Sequence, residues 1–163
     1  MSSKRPAQQT EALLVLLQDA GVRFVVIGGV AAISHGAATL TRDLDIAAPL
    51  TPDNVERLMT ALRPYRPTHV TRPDLGEIQE PIERLCEFRL LLIDTDLGRL
   101  DVLGEVQPLG PAESLVSVEM ELVEGKRFQV LSLDQLIEVK SFVGRPKDRI
   151  VEMELRAIRE RRS

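Results

Sequence analysis

Apolar positions along the chain change period several times, and each change marks an element. Leu13, Leu14 and Leu17 share one side of a helix that Thr10 opens, with its hydroxyl as cap, and Gly21 closes. Residues Arg23 to Ile27, RFVVI, are β-branched and aromatic, which predicts a buried strand, and Gly28-Gly29 breaks it. Val30 to His35 predicts a short helix ended by Gly36, and Asp43 to Ala48 a second strand that alternates acidic and apolar side chains. Thr51-Pro52-Asp53 supplies a hydroxyl cap, a proline in the first helical position and an acid in the first turn, so a helix follows to about Arg63.

Residues 64–84 carry four prolines and predict an irregular excursion, either a flap over a site or a mobile surface loop. FRLLLID (88–94) and RLDVLGEV (99–106) then predict two strands joined by a tight turn at Thr95-Asp96-Leu97-Gly98. A further hairpin spans Val118 to Val130, turning at Glu124-Gly125. Ser132, with Gln135 as its capping-box partner, opens a helical region through LIEVKSFVG; it pauses at Gly144-Arg145-Pro146 and resumes from Lys147 to about Arg161. This order predicts an α+β (mixed α/β) fold, a mixed sheet with helices packed on it. The 163 residues suffice for a single domain, with residues 1–9 flexible and 132–161 packing as C-terminal helices on the core.

The second strand raises a chemical question. Residues two apart in a strand share a face, so Asp43 and Asp45 stand together, about 6–7 Å apart along the backbone, while Leu44 and Ile46 point into the core. Adjacent anions repel, and burying them unpaired is costly. Either this face is solvated and the aspartates are ordinary polar-out residues, or divalent cations compensate them, since carboxylates are ligands that Mg²⁺ favours. Three neighbours weigh toward the second. Gly28-Gly29 ends the preceding strand, where bare backbone amides can approach phosphates. Asp101 lies between Leu100 and Val102 in a later strand, and Lys140 lies among Leu136, Ile137 and Val143.

This combination resembles the nucleotidyltransferase superfamily related to DNA polymerase beta, and in its details the small AbiEii-like and minimal nucleotidyltransferase groups. His35-Gly36, Thr41, Asp43 and Asp45 match the family's first motif, and Lys140, Gly144-Arg145, Lys147 and Asp148 match its late-helix pattern. The resemblance covers about residues 10 to 158; Thr39 stands where many relatives have arginine, and thirteen residues separate Gly29 from Asp43, a longer spacer than the strict signature has. It implies a nucleotidyltransferase fold and Mg²⁺-dependent transfer of a nucleoside monophosphate from an NTP to a hydroxyl of RNA such as a tRNA end, of a protein, or of a small molecule. It assigns Asp43, Asp45 and Asp101 to two metal sites, filled by Mg²⁺ or Mn²⁺, with Asp101 also helping to deprotonate the acceptor. It assigns Gly28, Gly29, Arg42, Lys140, Arg145 and Lys147 to the nucleotide and its phosphates, Lys140 facing the departing pyrophosphate; the alternative for Arg145 and Lys147 is that they only pair with Asp148. It also implies a partner protein in a bacterial toxin–antitoxin or defence system. The alternative is a non-catalytic module of the same fold that binds a nucleotide or a partner protein.

Composition sets limits on this picture. Apolar residues make up 44% and charged residues 28%, as in globular proteins. Net charge is −4, from 21 basic and 25 acidic residues, so no global attraction to nucleic acid or anionic membrane is expected. Residues 145–163 reverse that locally, with seven basic and four acidic side chains. No tryptophan and one tyrosine leave no aromatic platform for single-stranded nucleic acid. No apolar run approaches the ~20 residues of a membrane span, and MSSKRPAQQTEALL lacks the apolar stretch of a signal peptide. Cys86 is alone, so a reducing, cytoplasmic setting is expected. Val30 breaks a dinucleotide-binding glycine pattern, Gly98 and Arg99 break an EF-hand pattern, and His35 is read as a helix-end packing or capping residue.

Overall fold

The computed structural model describes residues 6–163. Helix α1 (Thr10–Asp19) leads to strand β1 (Val25–Ile27), which runs directly into helix α2 (Gly28–Ser34), and the chain returns in β2 (Leu44–Ala47). Helix α3 (Pro52–Leu62), the short strand β3 (Thr68–His69) and helix α4 (Ile82–Leu85) precede the hairpin of β4 (Leu90–Thr95) and β5 (Gly98–Leu103). A small ribbon, β6 (Glu105–Val106) with β7 (Gly110–Pro111), is followed by the hairpin of β8 (Ser117–Val123) and β9 (Lys126–Leu131). Helices α5 (Leu133–Val143) and α6 (Pro146–Arg162) complete the chain.

Among the described residues, seven strands form one mixed sheet in the order β3-β4-β5-β2-β1-β9-β8. Two of its pairings are parallel, β2 with β5 and β1 with β9, and the others are antiparallel. Strand alternation sorts the side chains. Leu44 and Ile46 of β2, Leu91 and Ile93 of β4, and Leu100 and Val102 of β5 are all buried, joined in the core by Leu13, Leu14 and Leu17 of α1 and Val55, Leu58 and Leu62 of α3. The intervening positions turn Asp45 and Asp101 the other way. Among the described residues no helix is long and apolar enough to cross a membrane.

Several local details differ from the sequence expectation. Gly28 and Gly29 do not merely end a strand; they are the first residues of α2. Thr10 is already helical and caps nothing, and the Thr51 hydroxyl donates to the Asp53 carboxylate at 2.7 Å rather than serving the α3 backbone. Ser132 does cap α5, accepting from the Gln135 amide at 3.2 Å. The reciprocal arm of that capping box is absent, because the Gln135 carboxamide accepts from the Val116 amide at 2.8 Å instead and ties α5 to the segment leading into β8. The proline-rich segment 64–84 is anchored at several points, with Ile78 buried, His69 stacked on Phe88 and Glu80 holding the His69 ring at 2.7 Å, while residues 71–77 are exposed.

The expected flexible lead of residues 1–9 lies outside the described residues up to residue 5. Beyond that, the Gln8 carboxamide brackets the Arg99 backbone, accepting from its amide at 2.8 Å and donating to its carbonyl at 3.0 Å. The Gln9 amide donates to Leu97. His35 is a packing residue, as expected: buried after α2, it lies 2.9 Å from the Leu131 carbonyl, and Arg162 reaches its Nδ1 at 3.1 Å. Burial is the main force holding its pKa down, and the nearby Arg162 charge acts in the same direction against the Leu131 hydrogen bond.

One buried polar side chain ties the loops beneath β1 and β2 together. Asn54 accepts from the Arg23 amide and donates to the carbonyls of Arg23 and Pro49, all within 3.0 Å. Asn54→Ala would leave these backbone groups without partners in a closed interior. It is expected to lower unfolding free energy by about 2–3 kcal/mol, read as a lower urea midpoint at unchanged slope.

Candidate active site

The parallel pairing of β2 with β5 places Asp45 opposite Asp101. Neighbouring strands lie about 4.8 Å apart, so two carboxylates in register on one face are in direct contact. Their side chains share a hydrogen bond. Asp43, one residue before β2, joins them through Arg99. The Arg99 Nε donates to Asp101 Oδ1 at 2.8 Å and lies 3.7 Å from Asp43 Oδ2, while Nη2 reaches Asp101 Oδ2 at 3.3 Å. All three aspartates named by the sequence are therefore brought together, around a cation that no motif names. Arg99 stands two residues before Asp101 and so shares its face, which is the one sequence signal that could have found it.

Three carboxylates and one guanidinium leave an unbalanced cluster. Asp45 shows it: burial, then the charge and hydrogen bond of Asp101, then the charge of Asp43 push its carboxyl up to about 7, against a smaller downward pull from Arg99. The glycines close the same cluster from the α2 side. Gly28 has φ +64, and a Cβ there would overlap the Asp45 carboxylate. A Cβ on Gly29 would fall 2.6 Å from Thr41 Cβ, and the Thr41 hydroxyl in turn donates to the Asp43 carbonyl. Glycine at both positions lets the start of α2 lie against the acids.

The basic residues come from the α5–α6 corner. Gly144, in the left-handed conformation with φ +65, ends α5 and turns the chain so that Arg145 and Asp148 face Lys140. Asp148 is 1% exposed; it accepts from Arg145 Nε at 2.6 Å and Lys140 Nζ at 3.2 Å. Burial alone would raise its pKa, but those hydrogen bonds and charges outweigh it and hold the carboxyl below the ordinary range. Asp148 thus fixes the position of both cations; its pairing with Arg145 is one of the sequence expectations, and its pairing with Lys140 is not.

Two cavities meet at this ion cluster. One, about 260 Å³, runs from Gly28 and Asp45 to Lys140 and Arg145 beneath apolar walls that include Leu136 and Val139. The other, about 360 Å³, is lined by Gly29, Thr39, Thr41, Lys140, Arg145 and Lys147. Lys147 is exposed at its rim. Arg42 stands apart from both, lining a cavity of about 320 Å³ beside Arg99, Thr95 and Gln8.

The donor chemistry, three carboxylates with net charge −2 after Arg99 when all are ionised, suits a hard divalent cation. The arrangement described is nevertheless closed on Arg99. Among the described residues no three acidic, histidine or cysteine side chains stand where they could jointly hold a metal ion.

The Asp45 shift has a stability consequence. Between its ordinary value of 3.8 and about 7, the folded protein retains a proton that the unfolded chain releases, so folding stability falls as pH rises through that window. Asp45→Asn removes the dependence. The variant is expected to match the wild type near pH 4 and to exceed it by roughly 4 kcal/mol, or about 10 °C in Tm, near pH 8. An equal Tm difference at the two pH values would rule out Asp45 protonation as the cause.

No family model matches the chain, and no curated protein matches it in sequence. Among solved structures, the crystal structure of ANT(2")-Ia, an aminoglycoside nucleotidyltransferase, in complex with adenylyl-2"-tobramycin is similar, with a TM-score of 0.53 over 94% of this chain and 96% of that one. Sequence identity is 15%, so the likeness is one of fold. The mixed sheet, with its helices, is a nucleotidyltransferase-like fold.

Proposed function

We propose that the chain is a nucleotidyltransferase that moves a nucleoside monophosphate from an NTP to an acceptor hydroxyl. One observation supports this reading above the rest: Asp45 and Asp101 lie side by side on parallel strands, with Asp43 joined to them through Arg99, and Asp45 lines a cavity that also reaches Lys140 and Arg145. The similar solved protein, carrying an adenylylated aminoglycoside, has the same overall fold.

In the transfer, an acceptor oxygen bonds to the α-phosphorus as the bridging α–β P–O bond breaks and pyrophosphate departs with the electron pair. The sequence resemblance assigns Asp43, Asp45 and Asp101 to Mg²⁺ or Mn²⁺, which when bound would supply charge neutralisation of the triphosphate; in the arrangement described they are closed on Arg99 and do not form a metal-holding group. Asp101 would take the acceptor proton in this reading, once one of its oxygens is released by Arg99. Lys140 and Arg145, pinned by Asp148, offer fixed positive charge to the leaving pyrophosphate, an electrostatic task typical of phosphoryl transfer. Gly28 and Gly29 keep that approach free of side chains. Lys147 contributes from the rim, and Arg42 from the neighbouring cavity. The acceptor class, an RNA end, a protein hydroxyl or a small molecule, and a place in an AbiEii-like toxin–antitoxin pair rest on the sequence resemblance.

A second reading, nucleotide binding without turnover, is favoured by the closure of the acid cluster on Arg99. One assay separates them. Each labelled NTP is incubated with Mg²⁺, cell extract and either the wild type or the Asp43→Ala, Asp45→Ala double variant. Transfer of label that falls at least about a hundredfold in the variant is the outcome expected for the enzyme. Thermal stabilisation by an NTP without any label transfer would favour the binding module.

A further inference from the structure

The outer face of α6 carries an apolar strip turned to solvent. Ile150 and Met153 are 68% and 71% exposed, and Ala157, also exposed, continues them one turn further on the same side of the helix. Leu40, 98% exposed on the loop between α2 and β2, extends the strip. It lines a cavity together with Ile150, and the Ala38 amide of the same loop donates to the Glu154 carboxylate, which fastens that loop to the helix. At its other end the strip borders a groove of about 620 Å³, with Met153, Arg156, Ala157 and Arg159 in its wall. Exposed aliphatic groups joined in this way mark an interaction surface. We propose that this face of α6 is the docking site for an acidic amphipathic helix of a partner protein. The inference does not depend on the transferase reading.

Charge complementarity selects this occupant. Each apolar position of α6 in the strip has a cation one helical turn away: Lys147 before Ile150, Arg149 before Met153 and Arg161 after Ala157. Among the described residues none of these three meets a carboxylate, and Arg149 reaches only the Gly144 carbonyl. The acids of the same helix are engaged elsewhere. Asp148 is buried against Lys140 and Arg145, Glu152 pairs with Arg156 and Glu154 serves Ala38, which leaves Glu160 as the exposed acid of the helix. A face that is apolar along its centre and basic at its edges is matched by a helix with aliphatic side chains at i, i+3 and i+7 and carboxylates beside them. A nucleic-acid backbone would meet the cations but leave Leu40, Ile150 and Met153 against phosphate, and α6 has no aromatic side chain on which a base could stack. A second copy of this chain would set the same cations against one another across a two-fold axis.

The probe is a fluorescein-labelled synthetic peptide of about 20 residues, long enough to be partly helical in water, with leucine at i, i+3, i+4 and i+7 and glutamate or alanine elsewhere. Its binding to the full chain is read by fluorescence anisotropy. The expected Kd is on the order of 10 µM at low salt and rises as salt is added. Combined Ile150→Ser and Met153→Ser substitution, in a chain shown to be folded by circular dichroism, is expected to weaken binding at least about tenfold. Arg149→Glu is expected to weaken it about fivefold, and it carries the comparison if the double variant does not fold. The same peptide with lysine in place of glutamate is expected not to bind. Absence of binding by the acidic peptide, equal binding by the lysine peptide, or binding unmoved by the substitutions overturns the proposal. Two other results also overturn it. Tighter binding of an oligouridylate, lost in Arg149→Glu and kept in the double variant, would make this a nucleic-acid surface. Dimerisation in sedimentation velocity, abolished in the double variant, would make it a face for self-association.

Discussion

The parallel pairing of β2 with β5 is the constraint on which the candidate site depends. It is central in the sheet, its apolar face is buried on both strands, and its register sets Leu44 against Leu100 and Ile46 against Val102. Because side chains alternate strictly, that same register forces Asp45 against Asp101 on the other face. A slip of one residue would bury the acids and expose the leucines. Hydrophobic burial thus holds together two carboxylates that would otherwise separate, and everything around them is compensation: Arg99 between Asp101 and Asp43, a glycine in place of any side chain at the start of α2, and a raised Asp45 pKa.

The basic half of the site is built on the opposite principle. Asp148 is nearly inaccessible and would be costly to bury alone, yet two cations reach it from the exposed side. Lys140 and Arg145 are held by it in fixed positions rather than sweeping through solvent. A long basic side chain loses conformational freedom whenever it binds an anion, and here much of that loss has already occurred on folding. Acid cluster and basic corner therefore differ in kind. The first carries excess negative charge and the second excess positive charge around a fully paired carboxylate.

Much of this arrangement is legible in the sequence. The strand carrying Asp43 and Asp45 can be read because its period of two is set by burial on one face, and Asp101 because it interrupts an apolar run in the same way. The α5–α6 break can be read because Gly144 and Pro146 each admit few backbone conformations. Where sequence and structure part, tertiary partners have taken over local groups. Gln135 serves Val116 rather than its own cap, Thr51 serves Asp53, and residues 64–84 are anchored where Ile78 and His69 are buried. Arg99 escapes a sequence reading for a related reason: a charged residue near a turn looks solvated until the neighbouring strand supplies its acids.

The clamp formed by Gln8 carries a consequence for the way the molecule is handled and processed. It lies just ahead of the first helix, yet it grips the backbone at the cation that knits the acidic cluster together. Trimming or displacing those leading residues, whether by a protease or by a bulky fused tag, would loosen a centre that is remote in the sequence and adjacent in space.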